Sequence, residues 1–547
     1  MKVSLSWLKD LVDYNLSPQE LADKLSLRSI GVKAVTSDYI ELDLTYNRGD
    51  LLSLRGVARE VAAITGSKLK FEDQHFPKYD LPKTPVKIEN PNLCSIYCVA
   101  EIQSLKVEKS SDTWVKKLSD SGIRSVNSIA DVTNLIMLEY GQPMHSFDAR
   151  GVADESIIVR VAKNGERITT LDGKTRDLDI SDLLIADPLN ALGIAGVMGG
   201  KDSEVSETTG TILLEAAIFD PVSVRRTSKR HGLNSEASKR FQHGLTKTNL
   251  LQALAAAIKM YESLGGKLTA INLVGDLEEK PKKVTLNSER LNNLIGVEIP
   301  TKQVETLLKR IGANVIHLEG GLAWHVIPPY WRLDINIEED LIEEVARMYG
   351  YEKIDGKQLV GKPPKPLDQT LQNFIHDLKV KLSKAGLTEV QTYSFYSSGV
   401  LNNFEMDKDK LIRVANPISS ETEYLRDQVW PNLIEVVAKN LKTGFSDIAI
   451  FEIGKVYKPK GQGLPDENYH LAIVLMNGTD NPIAELYAIA EGVKLRHPKG
   501  VQFNKQLFHP TRVTGNMAEV HPRFLNMFGI DKRVAILEID ISNLYPA

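Results

Sequence analysis

Four carboxylates around position 340 are the first residues whose types and spacing suggest chemistry. They lie in the run PPYWRLDINIEEDLIEEVARMYGY, from Pro328 to Tyr351. A helix turning about 100° per residue places Asp340, Glu343 and Glu344 within an arc of about 100°, with Leu341, Ile342, Val345, Ala346, Met348 and Tyr349 opposite. Asp334 stands just upstream, where the turn into the helix swings its carboxylate toward the same face. Oxygen ligands of this kind suit a hard cation such as Mg²⁺. Composition alone favours a solvated face, with Glu343 and Arg347 as an i,i+4 ion pair.

Other candidates sort by their spacing. Cys94 and Cys98 stand in C-x3-C with no second pair or Cys/His cluster, which argues against zinc and against a disulfide framework. The stretch GIAGVMGG, Gly193 to Gly200, has G-x-x-G-x-x-G spacing and no Lys followed by Ser or Thr. It is therefore no phosphate loop, and a pocket wall or a tight sheet bend serves equally well. Arg225, Arg226, Lys229, Arg230, Lys239 and Arg240 form a basic strip with two histidines, and Glu236 is its one acid. In a chain of net charge -4 such a strip is either a solvated helix face or a local grip on a phosphate backbone. Glu215 is the lone charge in the apolar run TILLEAAIF. On composition it reads as an edge-strand charge, and His145 as a satisfied turn histidine.

These residues need several domains to position them. The chain has 547 residues, 42% hydrophobic and 25% charged, enough for about three to five cores of ordinary globular type. The fold class is α/β (α+β) and multidomain. Residues 1-85 read as an α/β domain opened by two helices, the second with a Ser17 to Glu20 capping box. Residues 86-275 read as a strand-rich domain after the proline-punctuated stretch Pro77 to Pro91, and 276-355 as a small unit holding the acidic helix. The remainder, 356-547, reads as an antiparallel sheet with flanking helices, with strands at Glu389 to Tyr396, Ile448 to Ile453, Leu471 to Met476 and Val534 to Ile541. No run of 18 apolar residues occurs and the first residues lack a leader pattern, so a cytoplasmic chain without a membrane span is expected.

Several of these stretches resemble one family in order along the chain. RLDINIEEDLIEEVARMYGY resembles the signature of the phenylalanyl-tRNA synthetase β subunit. SIADVTNLIMLEYGQPMHSFD resembles that family's editing domain, whose H-A-F-D ending stands here as His145-Ser146-Phe147-Asp148. GVMGG and the basic RRT…HGL run match as well, although Asn234-Ser235 departs from the usual pair. NPISSETEYLRDQVWPNL resembles the class II synthetase-like domain, and the small unit at 276-355 stands where the family has a winged-helix-like domain.

The resemblance implies an editing pocket of Thr133, Asn134, His145, Gly199, Glu215 and Ala237, with Glu215 at the position that contacts a tyrosine hydroxyl. It implies Mg²⁺, shared with an α subunit, on Asp334, Asp340, Glu343 and Glu344. The implied partners are that α subunit, in a tetramer of two α and two β chains, and tRNA(Phe). ATP would be a substrate in α, because here Ile450 precedes Phe451-Glu452 where a working class II site carries Arg. The end of the chain after the last synthetase-like strand suggests the short archaeal or eukaryotic type. A free-standing hydrolase of mischarged tRNA and a non-catalytic RNA-binding scaffold are the alternatives from other classes.

Overall fold

The apolar run around Glu215 forms an interior strand. In the computed structural model, a four-stranded antiparallel sheet consists of β1 (Cys94–Gln103), β2 (Met144–Asp148), β3 (Ile212–Phe219) and β4 (Lys267–Gly275), in the order β4-β1-β3-β2. The structure describes residues 1–73, 76–276, 281–318, 322–358, 360–362, 364–365, 367–461, 463–476, 481–493, 495, 516–541 and 544.

Successive side chains of a strand point to opposite faces. Tyr97, Val99, Phe147, Leu213 and Ala217 belong to one core, which also takes in Val159, Leu183, Ile185 and Ile194 of a second sheet. Ile96, Cys98, Ala100, Leu214 and Ala216 belong to another core, with Ile129, Val132, Leu254 and Ile258 from two helices. Both faces are covered, and this is why the sequence reads as a nearly continuous apolar run. The second sheet holds Met198–Gly199, Ala191–Ile194, Leu183–Ala186, Ile157–Val161 and Val86–Ile88 in that order, the last pair parallel.

Four helices flank these sheets: α1 (Ser128–Tyr140), α2 (Pro221–His231), α3 (Glu236–Gln242) and α4 (Lys247–Ser263). The start of α2 is set by Asp220, whose carboxylate accepts from the Ser223 amide at 2.7 Å, and its end by Gly232 at φ 63°. Ser235 caps α3 in the same way, accepting from the Ser238 amide at 3.0 Å. Nearer the N-terminus, Lys2–Ser4, Tyr39–Asp43 and Gly31–Val35 make a three-stranded sheet, followed by the helix Leu54–Thr65. Val284–Asn287, Ala323–Ile327 and Asn314–His317 make another, packed with α5 (Glu338–Tyr349).

All of this lies in one compact unit, Met1–Gln358, and Leu359–Ala547 forms a second. The second unit has a five-stranded sheet in the order Thr388–Glu389, Ile448–Lys458, Asp466–Met476, Ala535–Asp540, Asn516–Glu519, parallel only at its first pair. The strand expected from Glu389 to Tyr396 is broken after Glu389 and resumes only at Phe395–Tyr396. The Thr392 amide and hydroxyl turn instead to the Glu452 carboxylate, at 3.3 and 2.7 Å. Arg426, 1% exposed, closes the cluster by donating to Glu452 at 2.9 Å, to Thr392 Oγ1 at 2.8 Å and to the Lys455 carbonyl at 2.9 Å.

Candidate functional site

Glu215 sits on β3 with β1 on one side and β2 on the other, directly opposite Val99 and His145. The edge-strand reading therefore fails. In-register neighbours share a face, so Glu215, His145, Val99 and Tyr97 all point toward the second sheet. Glu215 is 8% exposed, and burial pushes its carboxyl up to about 7. The buried Tyr97 hydroxyl nearby makes no hydrogen bond of ordinary geometry, and neither does His145 Nε2. Burial lowers His145 to about 4, so its imidazole is neutral at pH 7. Its ring meets Phe147 edge-on at 4.6 Å.

The glycine loop closes over this face. Gly193 pairs with Gly199 and Ile194 with Met198, and Gly196 turns the chain at φ 68°. A Cβ at residue 199 would stand 2.7 Å from His145 Cε1 and 2.8 Å from Nε2, so only glycine lets the loop come this close. Ala237 and Phe241 of α3 complete a cleft of about 460 Å³, counting its open mouth. That size suits a small organic group.

Of the six expected pocket residues, His145, Gly199, Glu215 and Ala237 line this cleft. Thr133 and Asn134 do not. They are on α1, which packs against the opposite face of the sheet through Ile129, Val132 and Ile136, and the Thr133 hydroxyl bonds back to the Ala130 carbonyl at 2.7 Å. Tyr97 was not anticipated. Its place beside Glu215 depends on the β1 to β3 register, which no local pattern carries.

The basic strip divides into a half paired with carboxylates and an exposed half. Asp182, fully buried, accepts from Thr227 at 2.9 Å and from His231 Nε2 at 2.7 Å, and also pairs with Arg230. Arg240 is buried too, donating to the Leu52 carbonyl at 3.1 Å and to Glu236 at 2.9 Å, while Lys239 pairs with Glu236 at 2.7 Å. Arg225, Arg226 and Lys229 remain exposed on α2.

The four carboxylates near 340 are not gathered into a cation site. Arg332 holds Asp334 through two bonds of 2.8 Å and Glu344 through bonds of 2.8 and 2.7 Å. Arg347 donates to Glu344 at 2.7 Å and pairs with Glu60, which Arg48 binds at 2.9 Å while also holding Asp50 at 2.8 Å. Arg347 thus serves Glu344 and Glu60 rather than Glu343. Asp340 caps α5, its Oδ2 accepting from the Asn336 and Ile337 amides at 2.6 and 2.9 Å. Only Glu343 is simply exposed. Among the described residues no group of three or more His, Cys, Asp or Glu is arranged to hold a metal ion. The donor set as placed does not fit Mg²⁺, because guanidinium groups already neutralise its two most enclosed carboxylates.

Comparison with known proteins bears on the same segments. Residues 93–266 match the B3/4 domain, 284–351 the tRNA synthetase B5 domain, and 360–501 the phenylalanyl tRNA synthetase beta chain CLM domain. The phenylalanine–tRNA ligase beta subunit of Carboxydothermus hydrogenoformans is 38% identical over 79% of this chain and 54% of its own length. That of Moorella thermoacetica is 35% identical over 93% of this chain and 67% of its own. The corresponding subunit of Protochlamydia amoebophila is 33% identical over 96% of this chain and 69% of its own. The chain thus spans between about half and two thirds of the length of these relatives. They are bacterial proteins and give no support to the short archaeal or eukaryotic type. An N-terminal fragment of the phenylalanyl-tRNA synthetase beta subunit from Pyrococcus horikoshii superimposes only with a TM-score of 0.37 at 18% identity, over 64% of this chain and 99% of that one. No described helix is long and apolar enough to cross a membrane. Relatives of this identity over nearly the whole chain, and three domain models matched along it, place it among the phenylalanine–tRNA ligase beta subunits.

Proposed function

We propose that this chain acts with a separate α chain, as two α and two β, in the ATP-dependent attachment of phenylalanine to its tRNA. Its cleft hydrolyses tyrosyl ester attached to that tRNA in error. Four domains, 1-85, 86-275, 276-355 and 356-547, divide the work, and the cleft belongs to the second. The observation that carries the hydrolytic reading is a buried carboxyl, Glu215, in a cleft whose other side chains, His145 apart, are apolar.

Tyrosine differs from phenylalanine by one hydroxyl, and an apolar charging pocket rejects such an analogue by only about 10²-fold. A second site must do the reverse and bind the hydroxyl. Glu215 accepts the phenolic hydrogen bond, and a phenylalanyl group would leave the buried carboxyl unpaired at a cost of about 1 to 3 kcal/mol. The neutral His145, its Nε2 beside the Gly199 backbone, holds the ammonium group or the attacking water. Water adds to the ester carbonyl and the ribose oxygen leaves with a proton. Glu452 and Arg426, which stand in the synthetase-like unit, neutralise each other, so amino-acid activation is assigned to α.

The test is reconstitution. Amino-acid-dependent ATP–pyrophosphate exchange should appear only after α is added, and an Ala237→Trp chain in that complex should keep phenylalanine charging and lose tyrosyl-tRNA hydrolysis. Exchange by the purified chain alone would refute the division of labour.

A further inference from the structure

We propose that Tyr46, His243 and Arg225 form a stacking platform for an unpaired base at the 3′ end of the RNA whose ester enters the cleft. This rests on the reading of the cleft given above. Tyr46 is a large aromatic left 60% exposed, yet it is held in place. Its hydroxyl donates to the Gln242 carbonyl at 2.9 Å, and its ring centroid lies 4.7 Å from that of His243 at 36°. His243 is fixed in turn, Nδ1 donating to the Lys239 carbonyl at 2.6 Å. A Cβ on residue 49 would stand 2.7 Å from His243 Cβ, so Gly49 gives the imidazole its room against the turn that carries Tyr46. The Arg225 guanidinium lies 5.7 Å from the Tyr46 centroid.

A tyrosine that is merely solvated has no need of a backbone acceptor for its hydroxyl, an imidazole against its ring and a cation over it. A pinned aromatic face with an arginine beside it is what sequence-tolerant binding of single-stranded nucleic acid uses, the ring stacking a base and the cation serving its phosphate. Arg226 and Lys229 continue the positive surface along α2. The platform is also well placed. Helix α3 presents Ala237 and Phe241 to the cleft, and His243 directly follows its last residue, an axial rise of about 9 Å from Ala237. The ester-bearing nucleoside or its neighbour can span that distance.

The experiment uses the reconstituted complex and tRNA carrying 2-aminopurine at the 3′-terminal position, a base whose fluorescence falls when it stacks. Binding should quench the fluorescence. Tyr46→Ala should lose most of the quench and raise KM for tyrosyl-tRNA hydrolysis about tenfold or more, with kcat within about twofold. Tyr46→Trp, which keeps a stacking face, should bind at least as tightly as the parent, and this arm stands even where the alanine variant folds poorly. Arg225→Gln should weaken binding and reduce the salt slope by about one. Equal quenching and equal KM in Tyr46→Ala would overturn the proposal, as would the absence of any quench in the parent. A complex that quenches through Tyr46 but hydrolyses no tyrosyl ester would refute the reading of the cleft and support the platform.

Discussion

Glu215 shows how much a single residue's meaning depends on its neighbours in space. The sequence offers a charge in an apolar run, and its matched family position suggests a contact with a phenol. What makes it chemically distinctive is burial between β1 and β2, opposite His145, and that pairing comes from register across residues 70 apart. Tyr97 escaped notice for the same reason. The raised carboxyl gives a pH prediction. Deprotonation near pH 7 turns the carboxyl into the stronger acceptor for a phenol, so preference for tyrosyl over phenylalanyl ester should climb as pH rises through about 7. In Glu215→Gln the profile should be flat, and a parent profile that is itself flat across this range would contradict the assignment. Stability runs the other way. The folded carboxyl titrates above its unfolded value of about 4.3, so the stability it contributes is complete below that value and is lost as pH rises through about 7. Above pH 7, Glu215→Gln should therefore be the more stable chain, by about 4 kcal/mol at most, as measured by denaturant unfolding.

Individual elements were legible where their signals are local. The Ser17 to Glu20 capping box forms as the sequence indicates, and Asp220, Pro221 and Gly232 set the ends of α2 by the same kind of local signal. The polarity of α5 was not legible. A helical wheel sees one helix, and it assigned Glu344 to a solvated acidic arc, whereas Glu344 is 2% exposed. Arg332 comes from the preceding turn and Glu60 from a helix almost 290 residues earlier, so only the tertiary fold shows the alternating charges. Thr133 and Asn134 stand apart from the cleft for a similar reason, since α1 lies behind the sheet. The prediction at this scale concerns the buried network. Glu344→Gln strips the charge from a carboxylate shared by two enclosed arginines and should cost about 3 to 5 kcal/mol in unfolding experiments, equally with added Mg²⁺ or with a chelator. Burial raises the folded Glu60 and Glu344 carboxyls, but the surrounding arginines outweigh it and hold both below the usual carboxylate range, so their stabilisation is present above about pH 4.3 and is lost as pH falls through the folded values. A chelator that lowers the stability of the parent chain would restore the metal reading.

At the scale of the whole molecule, the order of the resembling stretches pointed to the family that the relatives show. The sequence did not show that residues 1–358 form one compact unit, because the contacts joining its segments, such as Arg28 with Met348 and Glu352, link residues more than 300 positions apart. The role proposed for the second segment is that of a hydrolytic site selective for a phenol, working beside a partner that charges the tRNA. Its most direct test is a deacylation assay on tyrosyl- and phenylalanyl-tRNA specific for phenylalanine, using the complex of this chain with α, both as it stands and as Glu215→Ala. The parent complex should hydrolyse the tyrosyl ester in clear preference. Glu215→Ala should lose that preference by about tenfold or more while charging phenylalanine at a near-normal rate. Undiminished, selective hydrolysis by Glu215→Ala would contradict the account and place the site elsewhere.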